Sequence, residues 1–137
     1  MAFTIRRVDY FYTTIKDQPG EAYKLLSQLA ASGVNLLAFS GVPTGPARTQ
    51  LAIFPEDTLK LTDAAQKAGL RLDGPYRALL AHGDDELGAL AGIHMKLYEA
   101  NASVYASSGV TDGKGSFGYV LYIRPEDYDR AVKALGV

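Results

Sequence analysis

An internal duplication constrains this chain more than any other feature. Residues 25–41 align with residues 93–109 at an offset of 68 (93 − 25), without a gap. The same offset pairs Asp17 with Asp85 and Gly20 with Gly88. A Pro-Glu-Asp match at 55–57 and 125–127 has an offset of 70, which predicts a loop two residues longer in the second copy. The 137 residues therefore hold two copies of one small unit.

Both copies show the same order of elements. Apolar spacing predicts helices, and β-branched and aromatic runs predict strands. Gly33 has the position of a residue that ends a helix. In the first copy we expect strands at 8–15, 34–39, 49–54 and 70–72 and helices at 20–32 and about 55–68. In the second copy we expect strands at 76–81, 102–106 and 117–123 and helices at 85–100 and 125–135.

The duplicated β-α-β-β-α-β order predicts an α+β protein. We expect two ferredoxin-like repeats with antiparallel sheets, residues 1–69 and 70–137, paired about a pseudo-two-fold axis. The second copy ends one strand short, so residues 3–7 are expected to complete its sheet. One such unit buries little surface alone, and two copies that share edges bury more.

Composition narrows the classes of function. Lys and Arg number 14 against 15 Asp and Glu, a net charge of −1, and cysteine is absent. The lack of cysteine excludes thiolate catalysis and cysteine-ligated metals, and near-neutrality removes the attraction for nucleic acid. No apolar stretch approaches the ~20 residues of a membrane span, and the N-terminus lacks a signal-peptide pattern. We expect a soluble cytoplasmic protein without a metal or other cofactor.

The segment from Asp17 to Leu36 resembles the opening of an ACT domain. In that family a D-x-P-G loop precedes an amphipathic helix, and a G-(I/V)-N-(I/L) turn starts the next strand. Asp17-Gln18-Pro19-Gly20 and Gly33-Val34-Asn35-Leu36 match both motifs. The second copy is a degenerate match, in which Leu87 stands for the proline and Ser103 for the asparagine.

This resemblance implies a stand-alone tandem ACT protein. Such proteins are non-catalytic sensors that bind an amino acid or related metabolite at the interface between repeats. It also implies a homodimer that acts on a regulated enzyme partner. A helix N-terminus suits a carboxylate, and a glycine lets the backbone approach the ligand. The candidate ligand-binding residues are Asp17, Gln18, Pro19, Gly20, Asn35, His82, Asp85, Glu86, Gly88 and Ser103. A purely structural alternative has Asp17 capping the helix and Pro19-Gly20 shaping the turn.

Two sequence patterns suggest nucleotides or RNA. Residues 113–118 match G-x-G-x-x-G, but they precede a strand, whereas a dinucleotide-binding loop opens a helix. Residues 114–122 resemble an RNA-binding strand with Phe117 and Tyr119 as stacking rings. The first copy lacks these aromatics, and the chain has no basic surplus, so we expect the rings to pack within the protein.

An enzyme is the alternative to the sensor. A small ferredoxin-like enzyme would use His82, His94, Asp85 and Tyr119 as its acid–base residues. No pair among them has a diagnostic spacing. His94 replaces Leu26 of the first copy on the inward helix face, which predicts an interior histidine.

Overall fold

The computed structural model describes residues 3–137. Its strands are β1 (Phe3–Lys16), β2 (Leu36–Pro43), β3 (Arg48–Pro55), β4 (Asp73–Asp84), β5 (Val104–Thr111) and β6 (Ser116–Ile123). Its helices are α1 (Glu21–Ala31), α2 (Thr58–Ala68), α3 (Ala89–Glu99) and α4 (Tyr128–Leu135), the last preceded by a 3₁₀ turn, Pro125–Asp127. The α+β class and the repeated β-α-β-β-α-β order are confirmed.

The chain forms two compact units. The N-terminal unit is Asp9–Tyr76, and the C-terminal unit comprises residues 3–8 with Arg77–Val137. Strand β1 and strand β4 each pass from one unit to the other. The units therefore divide the chain at other points than the repeats 1–69 and 70–137, which describe the duplication in the sequence.

In the N-terminal unit, helices α1 and α2 cover one face of an antiparallel sheet of strand order β2-β3-β1, with residues 73–76 of β4 beside β1. Its core is apolar and includes Phe11, Leu25, Leu29, Leu51, Ile53 and Leu61. Tyr10 lies on the opposite face of β1 from Phe11, where its ring stacks on Phe54 at 5.1 Å. The aromatic residues Tyr10 and Phe11 thus pack on opposite faces of one strand.

In the C-terminal unit the strand order is β1-β4-β6-β5, with β1 represented by residues 3–8. Helices α3 and α4 pack on this sheet through a core that includes Leu79, Ile93, Leu97, Leu121, Tyr128 and Ala131. Phe3 and Ile5 pack against the same core. Phe117 and Tyr119 are buried there, as the sequence predicted, so neither ring is presented to a nucleic acid.

The backbone repeats at an offset of 68 in its hydrogen bonds as well as in its sequence. The amide of Asp17 donates to the carbonyl of Ala47 at 2.8 Å, and that of Asp85 donates to Gly115 at 2.9 Å. Both edge strands carry the same register shift, between Leu36 and Ala38 and between Val104 and Ala106. The two units therefore follow one backbone plan through three strands and a helix.

The connection that is two residues longer in the second copy lies after Ile123, where a 3₁₀ turn precedes α4. The loop between β5 and β6 has the length of its counterpart, since β3 and β6 keep the offset of 68 throughout. One sequence-based expectation about local structure is wrong. Residues 70–72 form no strand in the described chain, because the amide of Leu70 donates to Ala65 at 2.8 Å and completes the end of α2.

Candidate functional site

A cleft of about 710 Å³ opens in the C-terminal unit between the start of α3 and the hairpin end of β5 and β6. The loop 85–88 forms one wall, and the backbone of β5 forms the other. Apolar side chains contribute most of the remaining surface. The lining residues used below are Asp85, Gly88, Leu90, Gly109, Thr111 and Phe117.

The loop before α3 is held in a fixed shape. Gly88 lies at φ 85°, a left-handed conformation that glycine adopts without strain, and it immediately precedes the helix. The carboxylate of Asp85 accepts a hydrogen bond of 3.3 Å from the hydroxyl of Thr111 across the cleft. Among the described side chains none caps α3. The helix therefore presents its partial positive charge to the cleft.

The loop before α1 has the same geometry in the N-terminal unit. Gly20 lies at φ 88°, and the described side chains again provide no cap for the helix. The structural alternative in which Asp17 caps α1 is therefore wrong. Asp17, Gln18, Pro19 and Gly20 are all exposed, as are Asp85, Glu86 and Gly88 in the second loop.

Asn35 lies far from the loop with which the sequence grouped it. Lys16, next to Asp17, pairs with Arg48 at one end of β3, whereas Leu36 pairs with Pro55 at the other end. Seven strand steps separate these ends by about 23 Å. The side chain of Asn35 donates instead to the carboxylate of Glu56 at 3.0 Å. Asn35 therefore does not share a site with Asp17.

Ser103 directly precedes β5, at the opposite end of that strand from Thr111, which contacts Asp85. The amide of Ser103 donates to Asp127 Oδ2 at 2.9 Å, and Arg130 also pairs with Asp127. The hydrogen bond from Ser103 lowers the pKa of Asp127; burial opposes this, and the charge of Arg130 adds to it. Ser103 thus belongs to a structural link between the start of β5 and that of α4.

His82 lines a different hollow, of about 560 Å³, formed with Phe3, Thr4, Gly83, Asp84, Ser116 and Phe117. His82 is exposed on β4, and its ring packs over Gly118. Asp85 lines the first cleft, and Phe117 lines both. The acid–base set expected for an enzyme is therefore divided, since only His94 and Tyr119 come together.

His94 takes part in a chain of hydrogen bonds beneath the cleft. Its Nε2 lies 2.7 Å from the hydroxyl of Tyr119, which donates to Ser107 Oγ at 2.9 Å. Tyr119 is buried, His94 is half-buried and Ser107 is exposed. The prediction that His94 is an interior residue is confirmed.

Sequence reasoning missed Ser107 and Thr111 as residues of this region. Alignment at the offset of 68 contains the signal for Ser107, because it replaces Phe39 there, as Tyr119 replaces Leu51 and His94 replaces Leu26. Three apolar positions become polar together. The sequence analysis identified only the substitution of Leu26 by His94. The pairing of β5 with β6 places Ser107 near Tyr119, and this contact is what joins the three substitutions into one group.

The described part of the chain contains no cluster of three or more His, Cys, Asp or Glu side chains that could hold a metal. Among the helices of residues 3–137, none is both long and apolar enough to cross a membrane. The glycine-rich stretch 113–118 covers the end of the turn between β5 and β6 and the first residues of β6, and the amide of Asp112 donates to Ser116 at 3.0 Å across this turn. It therefore leads into a strand, as predicted.

The whole fold has counterparts among solved structures. A protein from Bacteroides thetaiotaomicron superimposes with a TM-score of 0.76 at 16% identity, over 98% of this chain and 88% of that one. The ligand-free regulatory subunit of aspartate kinase from Thermus thermophilus gives 0.66 at 15% identity, over 98% and 94%. The corresponding subunit from Thermus flavus gives 0.60 at 17% identity, over 98% and 94%.

No family model and no curated protein matches the sequence. The chain has the tandem β-α-β-β-α-β fold of the aspartate kinase regulatory subunits, which are ACT-domain proteins. The expected tandem ACT architecture is thus confirmed at the level of the fold. At 15–17% identity, the likeness extends to the fold and not to the ligand.

Proposed function

We propose that this protein is a non-catalytic regulatory protein that binds an amino acid or a related small metabolite. The observation that carries the proposal is the open cleft at the loop 85–88, in a fold shared with regulatory subunits. The proposed setting is the cytoplasm, and the proposed target is an enzyme regulated in trans.

The cleft offers both kinds of contact that an amino acid needs. The uncapped start of α3 suits the α-carboxylate, because a helix N-terminus carries unpaired amides and partial positive charge. The carboxylate of Asp85 and the hydroxyl of Thr111, 3.3 Å apart, can accept from the ammonium group. Leu90 and Phe117 give the apolar surface that excludes water around these contacts.

The loop 17–20 is proposed as a second, equivalent site. Its backbone follows the same plan as the loop 85–88, down to the donated hydrogen bonds of Asp17 and Asp85. Asp17 takes the part of Asp85, and Gly20 takes that of Gly88. Asn35 is left out of this site because it lies at the opposite end of β3.

Gly88→Asp tests the ligand site. The new carboxylate would lie at the helix start and repel the ligand's own carboxylate, and aspartate tolerates positive φ better than most residues. We expect isothermal titration calorimetry against the twenty amino acids to find at least one binder, and Gly88→Asp to weaken it at least tenfold. Gly20→Asp is the matched variant for the site at the loop 17–20, so each substitution should remove one binding event and leave the other. Absence of binding to the wild-type chain by any amino acid would overturn the proposal.

We propose that the functional form is a homodimer joined through α3. Exposed apolar side chains follow this helix, with Tyr98 80% and Met95 57% exposed and Leu87 at its start. Stable interfaces bury about 800 Å² on each partner and are rich in aromatic residues and methionine. Because Leu87 and Leu90 line the cleft, the second copy would cover its open side, and the ligand would lie between repeats of two chains.

Two tyrosines of similar exposure provide the test of this dimer. Tyr98→Glu removes the aromatic from α3, whereas Tyr23→Glu alters α1, where Tyr23 is 75% exposed. We expect light scattering after gel filtration to show a dimer for the wild type and Tyr23→Glu and a monomer for Tyr98→Glu. A wild-type monomer, or equal behaviour of the two variants, would contradict the α3 interface.

A further inference from the structure

We propose that the His94–Tyr119–Ser107 chain selects ligands whose side chain ends in a hydrogen-bond acceptor, a carboxylate or an amide. This inference rests on the proposed function, since it assigns the specificity of the same cleft. The three residues lie on three different elements, α3, β6 and β5. Their contacts of 2.7 Å and 2.9 Å join them into one unit.

The chain lies one step beyond the cleft along the groove between α3 and β5. Gly109 lines the cleft, and Ser107 precedes it by two residues, on the same side of the strand. Leu90 lines the cleft, and His94 follows by one helical turn on the same face. The ring of Tyr119 lies directly behind Gly109, where an added Cβ would approach its Cδ1 to 2.8 Å. A ligand bound at the loop 85–88 thus extends its side chain toward Ser107.

The direction of the hydrogen bonds makes Ser107 a donor toward the groove. In the arrangement that we propose, the hydroxyl of Tyr119 donates to Ser107 and its oxygen accepts from His94, whose Nε2 then carries the hydrogen. Ser107 uses a lone pair in this contact, and its own hydrogen is left to donate elsewhere. Ser107 is the exposed member of the three. Successive hydrogen bonds polarise one another, which strengthens the donor at the open end.

The distances fit an amino acid. Two strand steps from Gly109 to Ser107 cover about 7 Å, and the turn from Leu90 to His94 covers about 6 Å. A side chain of the length of glutamine or glutamate spans such a distance from its α-carboxylate. The N-terminal unit has Leu26, Phe39 and Leu51 at the equivalent positions, which offer no hydrogen bond. The polar chain is therefore particular to one repeat and not a requirement of the fold.

Calorimetry with the full chain and pairs of similar ligands tests this inference. The panel is glutamate, glutamine, aspartate and asparagine against leucine and norvaline, which have similar size and no side-chain acceptor. We expect at least tenfold tighter binding of one or more members of the polar group. A bound ligand covers Ser107, so an apolar ligand would leave this donor unpaired beneath it, which produces discrimination of this size or greater.

Ser107→Ala identifies the residue responsible. This substitution removes one exposed hydroxyl. The matched control is Ser108→Ala, which removes the neighbouring hydroxyl and is also at an exposed position. We expect Ser107→Ala to lose at least fivefold in affinity for the preferred polar ligand, with leucine binding unchanged, and Ser108→Ala to behave as wild type. Tyr119→Phe should reproduce the loss without touching the ligand.

The failure of this inference is distinguishable from that of the proposed function. Equal binding of polar and apolar ligands at the site that Gly88→Asp removes would overturn the selecting role of Ser107 and leave the sensor intact. Equal losses for Ser107→Ala and Ser108→Ala would overturn it as well. Absence of any binding would overturn both.

Discussion

The two units share a backbone and differ in what lies between helix and sheet. In the N-terminal unit Leu26, Phe39 and Leu51 occupy the positions at which the C-terminal unit has His94, Ser107 and Tyr119. The flanking turns, registers and helix starts coincide at the offset of 68. The two copies therefore share a hydrogen-bonded framework, and the same three positions are apolar in one copy and form a polar chain in the other.

This difference separates folding from function. Replacing three apolar groups by a satisfied polar set can be close to neutral for stability, because each polar group still has partners. What changes is the chemistry at the edge of the groove. The fold alone thus leaves the ligand undetermined, and the substituted positions carry the information about it.

The largest expected effect is at the two glycines that face these chains. An alanine at Gly109 would place its Cβ 2.8 Å from the ring of Tyr119, whereas at Gly41 the nearest atom is Leu51 Cδ2 at 3.1 Å. A ring held by two hydrogen bonds cannot move aside, but a leucine methyl can. We expect Gly109→Ala to cost about 1–3 kcal/mol, measured by urea unfolding.

Gly41→Ala is the control, and we expect its effect on stability to be close to zero. Alanine loses less conformational entropy on folding than glycine does, and this gain offsets the close contact with Leu51. Equal losses at both positions would show that the hydrogen bonds of Tyr119 do not make its ring rigid.

The next effect concerns the polar chain itself. Tyr119→Phe removes two hydrogen bonds and leaves His94 and Ser107 without their shared partner, at an expected cost of about 1–2 kcal/mol. The triple variant H94L/Y119F/S107A makes all three positions apolar, as they are in the N-terminal unit, and should be more stable than Tyr119→Phe alone. Additive losses by urea unfolding would instead show that the three residues do not act as one unit.

A smaller effect is expected at the loops, where the units agree. Gly20 and Gly88 lie at φ 88° and 85°, and an added Cβ would meet nothing within 4 Å at either. Only backbone strain opposes alanine, so each substitution should cost about 1 kcal/mol. Thermal unfolding of the two variants should therefore give equal losses. A difference above about 0.5 kcal/mol would show that the two loops are not equivalent, since that is the scatter expected of independent sites.

The sequence predicted the fold well because its strongest signals are periodic. Apolar spacing at Leu25 and Leu29 and the glycine at 33 determine α1 and its end, and the structure has both. The site was harder to predict, because its members are brought together by strand pairing. Asn35 was grouped with Asp17 by motif, yet the antiparallel register separates them by the length of β3.

The two copies of the Pro-Glu-Asp match look alike in sequence but differ in their contacts. An acid at a helix start can accept hydrogen bonds from the first free amides of the helix. Asp57 does cap α2, accepting from the amides of Leu59 and Lys60. Asp127 instead accepts from Ser103 and Arg130, because the 3₁₀ turn before α4 reorients it. Sequence could not distinguish the roles, since the difference arises from two inserted residues.

The smallest expected effect distinguishes these two aspartates by pH. The pKa of Asp127 is lowered in the folded chain, chiefly by the amide of Ser103. A lowered folded pKa means that the ionised carboxylate stabilises the fold above its ordinary value, 3.8, and that this contribution is lost as pH falls through the folded pKa. Asp127→Asn should therefore be less stable than wild type at pH 5–7, and the gap should narrow as the pH falls below about 4. Asp57→Asn is the control and should change little at neutral pH, because asparagine caps a helix as well as aspartate does. Urea unfolding between pH 3 and 7 measures both. A gap for Asp127→Asn that stays constant down to pH 3 would show that the link to Ser103 does not depend on the charge.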